Sequence, residues 1–123
     1  MIITATRVIT LRSTSVGQPA LLGQRRGEAV LSGIRKQPLV VPTISVGTTN
    51  IDGDAQADLK NHGGPNKAVY CYPADHLPHW RRTLGYEGDG VHAPLGENLS
   101  VSGITEEDAC IGDTWRWGDV VLQ

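Results

Sequence analysis

Phenylalanine is missing from this chain, and methionine occurs once. Trp80, Trp115, Trp117 and three tyrosines must therefore carry all the aromatic packing. No apolar stretch is long enough for a membrane-spanning helix, and Met1–Arg7 lacks a basic region ahead of an apolar one. No signal peptide is read, and a cytoplasmic protein with no membrane partner is the expectation. Cysteine is scarce: Cys71 and Cys110 stand far apart, with no C-x-x-C pair, which excludes a disulfide framework. Cys71 lies in an apolar segment and reads as a small buried hydrophobe. Cys110 follows Glu106-Glu107-Asp108, an acidic setting that argues against an activated nucleophile. A basic excess is also absent, with 11 Lys and Arg against 13 Asp and Glu, so no nucleic-acid footprint is present.

What the chain does contain is ordinary globular material, 39% hydrophobic and 20% charged. Its 123 residues fit one domain spanning 1–123. The 15 glycines and 7 prolines favour short strands joined by turns. Charge is polarised along the chain: residues 1–36 carry a net +5 and residues 87–123 a net −7. That arrangement suits an anionic small molecule at the basic end. Strands are predicted over Ala5–Leu11, Leu39–Val46 (interrupted by Pro42), Lys67–Tyr72, Glu97–Val101, Thr114–Trp117 and Val120–Leu122. Gln18–Arg26 reads as loop. One helix is predicted from about Pro73 to Leu84, with Pro78 in its first turn and Gly85 as its terminator. Many short strands and one helix predict a small, mostly-β barrel, incomplete at the C-terminus because the chain stops in mid-strand at Gln123.

The run Lys60-Asn61-His62-Gly63-Gly64-Pro65-Asn66-Lys67 is chemically the richest segment. It places an imidazole between two ammonium groups, beside a glycine pair whose backbone can approach a ligand closely. An imidazole ordinarily titrates near pH ~6.5, which suits proton transfer. The same residues are also compatible with a tight Gly-Gly-Pro turn carrying a surface histidine. Upstream, Asp54 reads as an Asx-turn folding back on its own backbone, and the functional alternative has Asp54 or Asp58 orienting His62. Asp75, His76 and His79 place a carboxylate and two imidazoles together, the basis of a weaker metal-hydrolase reading. In Gly96-Glu97-Asn98-Leu99, Asn98 can donate and accept at once and so orient a heterocycle, while a hairpin turn is the plainer alternative.

Taken in order, Gly33-Ile34-Arg35-Lys36-Gln37-Pro38, Gly53-Asp54-Ala55-Gln56-Ala57-Asp58, His62-Gly63-Gly64-Pro65-Asn66-Lys67-Ala68-Val69, Gly96-Glu97-Asn98-Leu99 and Ile111-Gly112-Asp113 resemble a MOSC domain, closest to its bacterial YiiM-like branch. The resemblance covers nearly all of the chain from about Arg7. It implies a mostly-β, barrel-like fold, a bound molybdenum cofactor (molybdopterin), and sulfur-carrier or reductive chemistry on N-hydroxylated compounds. A small-molecule substrate and a redox partner protein come with it. By position, His62 would be the catalytic histidine near the metal, Lys60 its flanking cation and Lys36 the residue facing the pterin phosphate. Gly63 and Gly64 would offer backbone amides, and Asn98 would line the cofactor pocket. The family's metal-ligating or sulfur-carrying cysteine would fall just after Gln123, and neither Cys71 nor Cys110 occupies an equivalent position. An oxidoreductase reading therefore requires a cysteine that a longer chain would supply. A non-catalytic β module holding an anionic ligand is the alternative.

Overall fold

A computed structural model describes residues 7–85 and 92–123. Nine regular elements follow one another among these residues. They are β1 (Thr10–Val16), β2 (Ala20–Arg25), β3 (Glu28–Ser32), β4 (Gln37–Pro38), β5 (Cys71–Pro73), α1 (Leu77–Leu84), β6 (Leu99–Ser102), β7 (Trp115–Trp117) and β8 (Val120–Leu122). Two single-turn 3₁₀ helices, Pro65–Lys67 and Ala74–His76, precede β5 and α1.

A four-stranded sheet of order β4-β1-β6-β5 forms the centre. β1 and β6 run antiparallel, with a register shift between Leu11 and Ser13, and β5 joins β6 in parallel. A parallel pair cannot be closed by a tight turn, and here α1 lies in the connection. The helix is built as its residues dictate. Proline occupies the first turn, where its missing N–H costs nothing, and Gly85 ends it with φ 72 and its N–H returned to the Arg81 and Arg82 carbonyls. Ile51, Leu99, Val101 and Ile104 form the buried core. Trp115, Trp117, Leu122, Cys71, Val16 and Ile44 are among the side chains packed around it.

The other two sheets are two-stranded, β2-β3 and β7-β8. The fold is thus mostly strand with one short α-helix, as expected, but the sheets described do not close into a barrel. Three further expectations are corrected. Gln18–Arg26 is not loop: most of it is β2, paired with β3 across a turn in which Arg26 and Gly27 both take positive φ (54 and 83). Two successive residues at positive φ give the turn whose twist matches a hairpin. Leu39–Val46 is not a strand. Only Gln37–Pro38 pairs with β1, the Leu39 N–H adds one bond to the Thr14 carbonyl, and Val46 bridges Ile51; Pro42, between them, lacks the N–H that a continuing ladder needs. Lys67–Tyr72 contributes only its last two residues to β5, since Pro65 first starts a 3₁₀ turn. The strand expected over Ala5–Leu11 begins at Thr10, and its first two residues lie outside the described residues.

Candidate functional site

Three motifs separated by up to 62 residues in sequence meet in one buried polar network, at Lys36, Asp54 and Asn98. All three are at most 8% exposed. Lys36 Nζ donates to Asp54 Oδ1 at 2.6 Å and to the Gly33 carbonyl at 3.1 Å. The Gly17 backbone N–H also donates to Asp54 Oδ1, at 2.8 Å. Asn98 Nδ2 donates to Asp54 Oδ2 at 3.0 Å and to the Ser15 carbonyl at 3.1 Å, and Asn98 Oδ1 accepts the Tyr70 N–H at 3.0 Å. Burial of an ammonium and a carboxylate is tolerable only when they pair and their remaining capacity is satisfied. Here the carboxylate receives three donors.

The packing around this network explains its glycines. A Cβ on Gly17 would overlap the Arg35 carbonyl oxygen, and one on Gly33 would overlap that of Ala55. Two backbone crossings are thus brought too close for any side chain. Glu97, 1% exposed, accepts from the Leu95 N–H at 3.0 Å and the Ser100 hydroxyl at 3.2 Å, fixing the turn that leads into Asn98.

Between Asp54 and Tyr70 runs the segment carrying Lys60, His62, Gly63 and Gly64. Asp58 organises its middle: its carboxylate accepts the Lys60 and Asn61 N–H groups and the Asn61 carboxamide, and its carbonyl accepts the His62 N–H. The Asx-turn considered for Asp54 is therefore made by Asp58, and these bonds, led by the Asn61 side chain, hold the Asp58 carboxyl below its ordinary range. Asp54 does not orient His62, because both of its oxygens are spent on Lys36, Gly17 and Asn98. Lys67 Nζ donates to the Asn61 carbonyl and closes the loop across His62. His62 and Lys60 are exposed. Gly64 has φ 87, a conformation that only glycine adopts freely, and its Cβ direction opens onto empty space. A ligand can approach the backbone there.

Neither cysteine belongs to this loop. Cys71 is half-buried against the core, and burial pushes its thiol up to about 11. Cys110 is exposed in the turn closed by Asp113. The Asp75–His76–His79 reading is not supported by the geometry: His76 Nε2 lies 2.8 Å from Glu106 Oε2, and the His79 ring stacks edge-on against Trp80. Among the described residues no three His, Cys, Asp or Glu side chains are grouped to hold a metal ion. A groove between Arg12–Thr14 and Pro38–Pro42 contains none of Lys36, Asp54, Lys60, His62, Gly63, Gly64 and Asn98, so it does not mark this site.

The residues present fit one part of a molybdenum–pterin group. Ammonium groups, an imidazole and open glycine backbone suit an anionic, hydrogen-bonding organic ligand. The thiolate that the family resemblance implies for the metal is not supplied by this loop: Cys71 is packed against the core with its thiol pushed up to about 11, and Cys110 is exposed in a separate turn.

Comparison with known proteins agrees with the family resemblance. The chain is 43% identical over 111 residues to the uncharacterized protein YflK of Bacillus subtilis, covering 90% of this chain and 48% of that one. It is 42% identical over 74 residues to YiiM of Escherichia coli, covering 59% of this chain and 33% of that one. A Gibberella moniliformis protein named reductase matches 78% of this chain at 37% identity, over 17% of its own length. The crystal structure of YiiM from Geobacillus stearothermophilus superposes with a TM-score of 0.61 and 27% identity, covering 93% of this chain and 48% of that one. The chain thus spans half or less of the length of these relatives. No helix described is long and apolar enough to cross a membrane. The family model of the MOSC domain matches residues 58–123, from the Asp58 turn through the His62 loop to the last strand, and the chain belongs to the MOSC domain family.

Proposed function

We propose that this MOSC domain binds the pterin portion of a molybdenum cofactor, and that the full-length protein uses it in sulfur transfer or in reduction of N-hydroxylated compounds. The observation that carries the reading is the presentation of the His62 loop: both of its ends are tied to one buried carboxamide, Asn98, while its middle stays open. Family membership and the relative named reductase support the same direction. The cofactor, when bound, would supply the redox or sulfur chemistry.

This chain's own residues bind and protonate. Lys60 and the amides of Gly63 and Gly64 would meet the anionic part of the ligand, and Lys36 would offer it one remaining N–H. His62, exposed at the loop's apex, would hand a proton to the substrate oxygen or nitrogen as that atom is reduced. Closure of the sheets into a barrel and supply of the metal's thiolate belong to the same proposal for the whole protein.

The test is the pterin and molybdenum content of the full-length protein, with turnover of an N-hydroxylated base. His62→Ala is expected to keep the cofactor and lose turnover. Wild-type turnover in that variant overturns the role given to His62. A second reading, a non-catalytic module for an anionic ligand, rests on the exposed Lys60 and the open backbone of Gly64 alone, and pterin bound with no turnover by the full-length protein would select it.

A further inference from the structure

We infer that Asn98 and Asp54 are positioning residues that hold the loop from Asp54 to Tyr70 closed, and that Asp54 cancels the charge of Lys36. A direct ligand role for Asn98 does not follow from its geometry. The carboxamide has two N–H donors, and both are spent, on Asp54 Oδ2 and the Ser15 carbonyl. Its oxygen accepts the Tyr70 N–H. The Asn98 backbone adds two more bonds, its N–H to the Tyr70 carbonyl at 2.8 Å and its carbonyl from the Ser15 N–H at 2.7 Å. One residue thus grips the last residue of the loop by main chain and side chain, the first residue by side chain, and β1 beneath both.

Lys36 completes the arrangement from below. Asp54 and Gly33 take two of its three N–H groups, so what Lys36 can offer is one directed hydrogen bond rather than a free positive charge. The loop's own cations, Lys60 and Lys67, make no ion pair among the described residues, and Lys67 is already bonded to the Asn61 carbonyl. Attraction of an anion would then fall to Lys60 and alignment to Lys36. Asparagine is needed at 98 because the position must donate twice and accept once in a fixed plane. Aspartate can only accept there, and alanine does neither.

That this loop serves a ligand rests on the reading proposed above, whereas the clasp does not. The experiment is hydrogen exchange on the full-length protein without added ligand, comparing wild type, Asn98→Ala and Asp54→Asn. Amides of residues 58–69 are expected to exchange about tenfold faster or more in both variants, the factor carried by one lost buried hydrogen bond, while amides of β7 and β8 keep their protection. Pterin content should fall in both, and Asp54→Glu should restore part of it. Unchanged exchange over 58–69 in folded variants overturns the inference.

Should either variant fail to fold, the wild-type protein still decides. The Asn98 carboxamide protons should exchange at least about tenfold more slowly than those of a free amide. Free-amide rates at Asn98 would refute the clasp. Loop release in a protein that never binds pterin would sink the proposed function alone, and pterin binding with a loop indifferent to Asn98 would sink the clasp alone.

Discussion

Replacing Asp54 by alanine should damage this protein more than any other single change in the network. The substitution leaves the Lys36 ammonium buried with only the Gly33 carbonyl, and it removes the acceptor for the Gly17 N–H and one acceptor for the Asn98 carboxamide. Removing one partner of a buried ion pair typically costs about 3–5 kcal/mol. Each buried donor left without an acceptor adds roughly 1–3 kcal/mol, less than additively because water and relaxation recover part of the loss. A total near 5 kcal/mol is comparable to the lower end of a whole domain's stability, about 5–15 kcal/mol. Lys36→Met should cost less. Asp54 then keeps two donors, and the methionine stem fills most of the volume left by the lysine. The assay is urea unfolding of the full-length protein, wild type against Asp54→Ala, Lys36→Met and the double variant. A loss under about 1 kcal/mol for Asp54→Ala, the range of a surface pair, would refute the claim that this ion pair is buried and structural.

Other consequences can be checked directly. Gly33→Ala should sharply reduce soluble yield, because its methyl would overlap the Ala55 carbonyl oxygen, whereas Gly23→Ala meets nothing and should leave the melting temperature unchanged. Thiol labelling at pH about 8 should modify exposed Cys110 and spare Cys71, whose thiol stays protonated until about 11; equal rates in the native state would contradict the burial of Cys71. Asp58, Glu106 and Asp108 are held below the ordinary carboxylate range, by the Asn61 side chain, by the Glu106 backbone N–H and then His76, and by Arg7 respectively. A depressed folded-state pKa contributes stability above the unfolded value that is lost as pH falls through the folded one. The melting temperature should therefore drop from about pH 4 downward, and a flat profile between about pH 5 and 3 would contradict these shifts.

The helix was legible because its signals are local: Pro78 can only sit in a first turn, and Gly85 ends what precedes it. The motif residues were legible as types, since a lysine, an aspartate and an asparagine beside glycines carry obvious chemistry. Their partners were not. Asp54 finds Lys36 18 residues away, and Asn98 finds Ser15 83 residues away, so no spacing rule links them. Hence Asn98 reads from sequence as a ligand contact, while the structure spends all its hydrogen-bonding groups on protein. The β2-β3 hairpin escaped for a different reason. Both its faces are largely exposed, which erases the alternation that marks a half-buried strand, and its turn is Arg26-Gly27 rather than the familiar Asn-Gly.

That hairpin stands apart from the rest of the described fold. It pairs with no other strand, every residue of β2 is exposed, and Leu21, Leu22 and Leu31 each show half or more of their surface. A two-stranded ribbon is marginal in water by itself, so its order is set by its own turn and cross-strand pairs. Mutational tolerance should therefore differ sharply across the molecule. Substitutions at residues 20–32 would be filtered by solubility and stickiness. Those at 33–36, 54 and 97–98 would be filtered by whether the chain folds at all. A protein divided in this way can vary the outline of its surface over generations while the framework beneath the His62 loop stays nearly frozen.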